Sequence, residues 1–441
     1  MSAVIVAIAT PPGTGALSVV RLSGAGCFEV GERVLRRFSV SKMGARRAGW
    51  DQVVDEEGEV IDEVVATAFV GPASFTGEDT LELVGHGGVV VTRMVLERCL
   101  EAGSRLAEGG EFSQRAFLNG KLDLTQAEAV MDLIGAQTEL AARAAREQLA
   151  GKLGEEVEVM RARLIEVVAH VEAYIDFPDE DISPETGEAL AGSFREVMAG
   201  LGGLLDTAKQ GRILREGARV AIIGKPNAGK SSLLNALLGF ERAIVSAEAG
   251  TTRDTVEEVL DVEGLPVRVI DTAGLREGEG EIEREGIERA RESSERADVV
   301  IELVDASEAR GERFEEGSLF VLNKVDLGEH EDWDGVQGMR VSARTGTGLE
   351  ELRGALAEAL GRQEIESSSG ALIAINARHQ DCLRRARAGV EEALTMLEAG
   401  TEPEFVAVPL REALMAVGVV GGVVDTEEIL GSIFGQFCIG K

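Results

Sequence analysis

The sequence predicts a multidomain chain with an α+β N-terminal segment, an all-α helical region, and an inserted α/β module of the Ras-like P-loop type. Three observations predict it. An apolar run, Arg219–Ile223, feeds a glycine-rich turn, Gly224-Lys225-Pro226-Asn227-Ala228-Gly229-Lys230-Ser231, and then a helix-forming stretch, Ser232–Leu238. The chain on both sides of this module, 125–214 and 363–436, is rich in Ala, Glu, Leu and Arg with few helix breakers. Before about residue 120, strand-like and helix-like segments alternate.

Taken in order, Val4–Ala9, Leu17–Leu22 and Val64–Val70 read as strands, and Phe28–Arg37 as a helix. The helical pattern that starts at Thr125 is interrupted at Asp176-Phe177-Pro178-Asp179-Glu180-Asp181, where proline and clustered charge oppose a continuous helix. Strand–helix alternation from Arg215 to Arg362 implies a parallel sheet with helices on both faces. Helices resume after Ser367-Ser368-Ser369-Gly370, a return linker. The division is therefore 1–120, 121–214, 215–362 and 363–441, with the third part inserted into a helical region formed by the second and fourth.

The glycine-rich turn fits G-x-x-x-x-G-K-S in the right context. Backbone N–H groups from Asn227 through Ala228, Gly229, Lys230, Ser231 and Ser232 can wrap a pyrophosphate at a helix N-terminus, where the dipole favours negative charge. Lys230 would neutralise the β and γ phosphates, and Ser231 would ligate Mg²⁺. Asn323-Lys324-Val325-Asp326 follows the apolar run Leu319–Leu322. A carboxylate at Asp326 accepts from guanine N1–H and the N2 amino group, donors that adenine lacks. Asn323 and Lys324 would steady the base and its loop, and Ser342-Ala343-Arg344 would close over guanine O6. Asp271-Thr272-Ala273-Gly274 follows the strand Val267–Ile270, with Asp271 serving Mg²⁺ through water and Gly274 N–H meeting the γ-phosphate. Gly250-Thr251-Thr252-Arg253-Asp254 offers a threonine hydroxyl, Thr252, to Mg²⁺. The ordered set predicts a GTPase.

Ras-type enzymes place a glutamine after the D-x-x-G glycine to orient water. Here the position is Leu275, which cannot do so. Positive charge for the transition state must also come from somewhere. Asn227 admits two readings: a ligand of a monovalent cation such as K⁺, which would supply that charge, or a brace of its own loop.

Composition bounds the rest. The 441-residue chain has 45 basic and 78 acidic residues, a net charge of −33, which opposes non-specific nucleic-acid binding. Four cysteines, Cys27, Cys99, Cys382 and Cys438, stand far apart without a C-x-x-C pair, and argue for a reducing cytoplasm over a zinc site or disulfide framework. The apolar start lacks a basic flank and runs into Pro11-Pro12, so it reads as a strand and not a signal peptide. No apolar run is long enough for a membrane span.

Several stretches outside the nucleotide motifs carry a resemblance. They are Ala9-Thr10-Pro11-Pro12-Gly13, Ser74-Phe75-Thr76-Gly77-Glu78-Asp79, Gly85-His86-Gly87-Gly88, Gly110-Glu111-Phe112-Ser113, Arg115–Leu124, and the terminal Phe437-Cys438-Ile439-Gly440-Lys441. With Asp271–Arg276, they make the chain resemble, nearly end to end, the MnmE (TrmE) family of tRNA wobble-uridine modification GTPases. The resemblance implies an N-terminal folate-binding and dimerisation domain, a helical domain and an inserted G domain. It implies a homodimer, a heterotetramer with the flavoprotein MnmG, which carries FAD, and action at C5 of uridine 34 of tRNA. By the same resemblance Asn227 ligates K⁺, with Ser246, Glu248 and Thr251 in the loop that wraps the ion. Ser231 and Thr252 hold Mg²⁺, and Glu283 positions the attacking water. Arg21, Glu82, Lys121 and Lys441 meet a tetrahydrofolate derivative, 5-formyl or 5,10-methylene. Ala247-Glu248 departs from relatives, which often place an acidic residue before an apolar one.

On composition alone, Arg21, Glu82, Lys121 and Lys441 read as surface charges, and Glu283 as part of a solvated helix face. Cys438 has two readings, a nucleophile at uridine C6 or a buried thiol beside the folate pocket. Acidity and a tRNA substrate are reconciled if the partner supplies most tRNA affinity and this chain only a local basic patch. A salt-adapted host is the other explanation. Two rival functions are an Era-type ribosome-assembly GTPase and a GTP-gated scaffold without folate chemistry. The acidic flanks and the C-I-G-K tail oppose the first, and the intact Lys230, Ser231, Asp271 and Glu283 set opposes the second.

Overall fold

The computed structural model describes residues 3–39, 45–176, 184–240, 259–270, 294–311, 317–363, 372–423, 430, 433–435, 437 and 440. The chain forms two compact units, Met1–Met131 with Gly418–Lys441, and Asp132–Val417.

The first unit is built on a sheet of β1 (Ile5–Ile8), β2 (Leu17–Ser23), β3 (Ala48–Val54), β4 (Val60–Phe69), β5 (Thr80–His86) and β6 (Arg105–Leu106). Their spatial order is β3-β4-β5-β2-β1-β6. Neighbours run antiparallel except β1 and β6, which are parallel. Alternation decides which face is core. Val4, Val6, Val20, Leu22, Val64, Ala66, Leu81 and Leu83 point one way, onto the helices Cys27–Val34 and Val89–Glu101. From β1, Ile5 and Ala7 point the other way and meet Ala107 and Phe112. The expected strands lie where the pattern put them, while the helix expected over Phe28–Arg37 ends at Val34. The chain leaves the helix there because Leu35 bridges Val53, Arg36 N–H donates to Gln52 O, and Arg37 N–H donates to the Asp51 carboxylate. Pairing along the β3 edge takes over those residues.

The C-terminal segment belongs to this unit. Leu430, Phe434 and Phe437 are buried with Leu124 and Ala127, and Phe117 packs on them. Gly440 has φ +100, and a Cβ there would stand 2.5 Å from Ile8 O, so only glycine lets the tail lie against β1.

The second unit holds helices Glu139–Leu149, Lys152–Asp176, Pro184–Asp206, Ala208–Glu216 and Ala377–Glu398, and the helix Pro403–Gly421 as far as Val417. Lys152–Asp176 and Ala377–Glu398 both pack on Pro184–Asp206. The same unit contains a sheet of β7 (Ala218–Ile223), β8 (Val259–Val262), β9 (Leu265–Ile270), β10 (Val299–Asp305), β11 (Leu319–Asn323) and β12 (Met339–Arg340), ordered β12-β11-β10-β7-β9-β8. Four adjacent pairs are parallel, but β8 runs antiparallel to β9. The wholly parallel sheet read from strand–helix alternation is corrected at this edge. The cause is a two-residue turn, Glu263-Gly264, with φ of 52° and 90°, whose left-handed conformations suit a tight hairpin. Val220, Ile222, Leu260, Val267, Val269, Ile301, Leu303 and Val321 form the core of this sheet with Leu233, Leu237, Leu352 and Leu356 from the helices Lys230–Phe240 and Leu349–Ala359.

Candidate functional site: a guanine-nucleotide pocket and a paired charge on the first sheet

β7 ends at Ile223, and the turn Gly224–Gly229 carries the chain into the helix that begins at Lys230. Two contacts make glycine obligatory. A Cβ on Gly224, φ +149, would lie 2.1 Å from Leu303 O of neighbouring β10. One on Gly229, φ +97, would lie 2.2 Å from Asn323 Nδ2. The turn is thus pressed against the strand ends, with its amides gathered at a helix N-terminus, the arrangement a phosphate needs. Asn227 takes φ +64, a left-handed conformation that asparagine tolerates. Its side chain is exposed and makes no hydrogen bond to any described residue, so loop bracing finds no partner among those residues. Lys230 curls over the turn, its Nζ donating to Gly224 O at 2.8 Å and Lys225 O at 2.9 Å. Burial pushes its ammonium below the ordinary lysine value.

The base-reading loop is tied to this turn by one side chain. Asn323, 1% exposed at the end of β11, donates from Nδ2 to Ala228 O at 2.9 Å. Its Oδ1 accepts from Ala343 N–H at 3.1 Å. One amide therefore fixes the phosphate turn and the Ser342–Ala343 loop to each other. Ser342 Oγ donates to Asp326 Oδ1 at 2.6 Å and orients the exposed carboxylate. Lys324, at φ 65, extends to Asp305, with Nζ 2.6 Å from Oδ2. Burial works against charge on Asp305, but the bonds from Lys324 and Ser307 outweigh it and hold its pKa below the ordinary value. Sequence reading did not single out Asp305. Its place at the end of the apolar strand that precedes the N-K-x-D strand was the available signal.

Of the sequence-predicted nucleotide residues, the fold brings Asn227, Ala228, Gly229, Lys230, Ser231, Asn323, Lys324, Asp326, Ser342 and Ala343 to adjoining strand ends of one sheet. Ser232 and Arg344 follow directly on the two loops. Ser246, Glu248, Thr251, Thr252, Asp271, Thr272, Ala273, Gly274 and Glu283 lie outside the described residues, as do Cys438 and Lys441.

In the first unit, Arg21 on β2 stands opposite Glu82 on β5. Arg21 Nε and Nη2 both reach Glu82 Oε1, at 2.9 and 2.8 Å, and only that oxygen is used by the pair. The guanidinium carbon sits 5.9 Å from the Phe75 ring centre and 5.8 Å from that of Phe112. Phe112 is fully buried and Phe75 is partly open to solvent. Lys121 lies against Gly77, two residues from Phe75, because a Cβ on Gly77 would touch its Cγ at 3.1 Å. The two aromatic rings were not among the predicted site residues. Phe75 comes from a loop and Phe112 from the helix Glu111–Leu118, far apart in the chain, which no local spacing reveals.

A glycine-shaped phosphate turn at a strand–helix junction, clasped to an N-K-x-D loop whose aspartate is aimed by a serine, defines a guanine-nucleotide-binding P-loop protein. Comparison with known proteins narrows the class. Residues 4–121 match the model of the GTP-binding protein TrmE N-terminus, and residues 124–438 that of the MnmE helical domain. The tRNA modification GTPase MnmE of Akkermansia muciniphila is 49% identical, covering 99% of this chain and 98% of that protein. The protein of the same name from Aquifex aeolicus is 44% identical, with 99% of each chain covered. A solved GTP-binding protein of Sulfolobus solfataricus in complex with GDP covers 58% of this chain and 79% of its own, at 14% identity and a TM-score of 0.24, too slight a likeness to bear on the fold. The chain belongs to the MnmE (TrmE) family, and it is a GTPase acting in tRNA modification. Among the described residues, no helix is long and apolar enough to cross a membrane.

Proposed function

We propose that this GTPase turns over GTP with Mg²⁺ and K⁺ and works with a flavoprotein partner, MnmG, at C5 of the wobble uridine of tRNA, using a tetrahydrofolate one-carbon unit. Ser231 and Thr252 would hold Mg²⁺. Asn227, with the Ser246–Thr251 loop and Glu248, would hold K⁺. Asp271 to Gly274 would sense the γ-phosphate, and Glu283 would position water in place of the missing glutamine. The G domain, 215–362, would be an insertion between 121–214 and 363–441, set in a cytoplasmic homodimer that joins its partner in a heterotetramer.

The observation that carries this reading is Asn227. Its amide sits in a left-handed turn directly before Ala228-Gly229-Lys230, exposed, and without a described partner to brace. A cation there would add charge beside the phosphates without a side chain having to move. The folate part draws support from the first unit. Glu82 keeps Oε2 outside its ion pair, able to accept from a pterin N–H, and Phe75 offers a partly open ring beside it. Arg21 and Lys121 would supply cations for glutamyl carboxylates, and Lys441 follows Gly440, which lies against Ile8 at the end of β1. Cys438 would act at uridine C6 or pack beside this pocket.

The test is GTP hydrolysis at constant ionic strength in KCl and in NaCl, for the unaltered protein and Asn227→Ala. Stimulation by K⁺ that disappears in the variant supports the cation mechanism. Equal rates in both salts for the unaltered protein would reject it.

A further inference from the structure

The chain is acidic overall, yet residues 33–50 contain six basic side chains, Arg33, Arg36, Arg37, Lys42, Arg46 and Arg47, and no Asp or Glu. Arg36, Arg37, Arg46 and Arg47 are exposed. Arginines elsewhere, such as Arg21, Arg98, Arg115, Arg195 and Arg215, stand within ion-pair distance of carboxylates. Among the described residues, no carboxylate forms an ion pair with Arg36, Arg37, Arg46 or Arg47. Arg36 is taken up by neutral acceptors, Gln52 Oε1 at 2.8 Å and Gly58 O at 2.7 Å. The Arg46 side chain makes one bond among the described residues, to Ala73 O at 3.1 Å. Arg36 and Arg46 are therefore positioned without a carboxylate partner among the described residues.

An aromatic ring stands in the same strip. Trp50 on β3 is 55% exposed, and the Arg37 guanidinium carbon lies 6.0 Å from its ring centre. Trp50 pairs with Val65 on β4, itself 41% exposed, and Val65 pairs with Val84 on β5. The indole thus sits on the sheet face turned away from the helices, which it shares with the exposed Ala48. The acidic turn Asp55–Glu59 follows the far end of β3 and meets Arg36 through Gly58 O, which leaves Arg37, Arg46 and Arg47 with Trp50 as the part of the strip outside it.

An open sheet face with an exposed aromatic ring and arginines that lack acid partners is suited to unpaired nucleotides. Bases stack on the ring while guanidinium groups meet phosphates. Duplex RNA hides its base faces and would leave the indole unused. An acidic protein segment would use the arginines but has no group that must stack on Trp50. We infer that Trp50, Arg37, Arg46 and Arg47 form a contact surface for single-stranded RNA, the local basic patch through which this chain touches the unpaired loop of its tRNA. The inference rests on the reading that the protein acts on tRNA.

The protein has two tryptophans, and Trp333 is only 2% exposed, so Trp50 is a built-in reporter. The full-length protein is titrated with a uridine dodecamer and with an unmodified tRNA transcript while tryptophan emission and RNA anisotropy are followed. RNA should quench the emission. Trp50→Phe should keep binding and lose most of the quench, and Trp50→Ala should weaken binding on the order of tenfold. Arg46→Ala and Arg47→Ala should each reduce the slope of log K against log salt by about 0.7. GTP hydrolysis, whose residues lie in the second unit, should be unchanged, and a urea-unfolding curve equal to that of the unaltered protein shows that each variant is folded. RNA binding equal to wild type in Trp50→Ala and in the arginine variants would overturn the inference. So would polyglutamate competing as well as RNA with no effect of Trp50→Ala, which points to an acidic protein ligand. Failure of the functional reading shows separately, as wobble-uridine modification that proceeds without this chain.

Discussion

Asn323 holds Ala228 through a buried hydrogen bond of 2.9 Å, although 95 positions separate them in the chain. With the second bond, from Ala343 N–H, the same amide joins the phosphate turn to the base-reading loop. Replacing Asn323 with alanine leaves Ala228 O and Ala343 N–H without this partner. The expected outcome is a stability loss of about 1–3 kcal/mol and GDP affinity reduced more than tenfold. Fluorescent-nucleotide titration and urea unfolding would measure both. Affinity unchanged despite lost stability would mean that the clasp is not needed for the pocket.

Gly224 is tested by one methyl group. Its Cβ would meet Leu303 O at 2.1 Å, and φ +149 is costly for any other residue. Gly224→Ala must push β10 or distort the turn. Nucleotide binding should fall below detection in the same titration, with the melting temperature lowered by several degrees. Gly239→Ala in the following helix, where a Cβ meets nothing within 4 Å, should do neither.

Base choice rests on the charge of Asp326. Its carboxylate is fixed by Ser342 Oγ and would accept from two guanine donors. Asp326→Asn presents an N–H where guanine also presents one, and should raise the KM for GTP by a factor on the order of 10³ or more. Xanthine carries an oxygen in place of the N2 amino group, so XTP should become the better substrate. Hydrolysis assays with both nucleotides decide this, and a variant that still prefers GTP would assign base choice to another residue.

His86 provides a pH-dependent contact on the first sheet. Its Nδ1 lies 2.6 Å from Oδ1 of Asp62, whose side chain is nearly buried, while Asp62 Oδ2 accepts from His86 N–H at 2.9 Å. The hydrogen bond and charge of Asp62 raise the histidine above its ordinary value of 6.5. A raised folded value means that the stabilisation is complete below about pH 6.5 and is lost as pH rises through the folded pKa. An NMR titration should place His86 above 6.5, and Asp62→Asn should bring it back down.

The phosphate turn and the N-K-x-D loop were legible because each is a short local pattern flanked by apolar runs. The edge strand β8 was misjudged because its direction depends on the two-residue turn Glu263-Gly264, a weaker signal than the strand–helix alternation around it. The end of the helix at Val34 depends on Arg36 and Arg37 finding β3, and Arg21 depends on Phe75 and Phe112. Those contacts follow from sheet order and register, which joins β2 to β5 across two intervening strands. No spacing in the sequence encodes that order. Trp50 was passed over for the same reason, since its exposure follows from which face of β3 the core occupies.

The buried charges around Arg115 give a prediction about acid stability. Arg115 Nη2 lies 2.9 Å from Glu111 Oε1, and Nη1 lies 2.8 Å from Glu78 Oε2, with Arg115 and Glu111 each under a tenth exposed. Burial alone would raise the Glu111 pKa, but bonds from Arg105, the Glu108 amide and Arg115 outweigh it and hold it below 4.5. A lowered folded value means that this stabilisation is present above the ordinary glutamate pKa and disappears as pH falls through the folded one. Glu111→Gln should therefore flatten the acid limb of the stability curve, with its cost largest near neutral pH. Arg115→Met removes the cation that joins Glu78 to Glu111, while Glu111 keeps its bonds from Arg105 and the Glu108 amide and Glu78 keeps the one from Ser23. That loss should be about 1–3 kcal/mol and should persist at neutral pH, because two charge-assisted hydrogen bonds from Arg115 are removed while both carboxylates stay ionised. Urea unfolding at pH 7 and pH 4 separates the cases. A Glu111→Gln cost that is the same at both pH values would mean that packing, and not charge, holds this corner of the sheet.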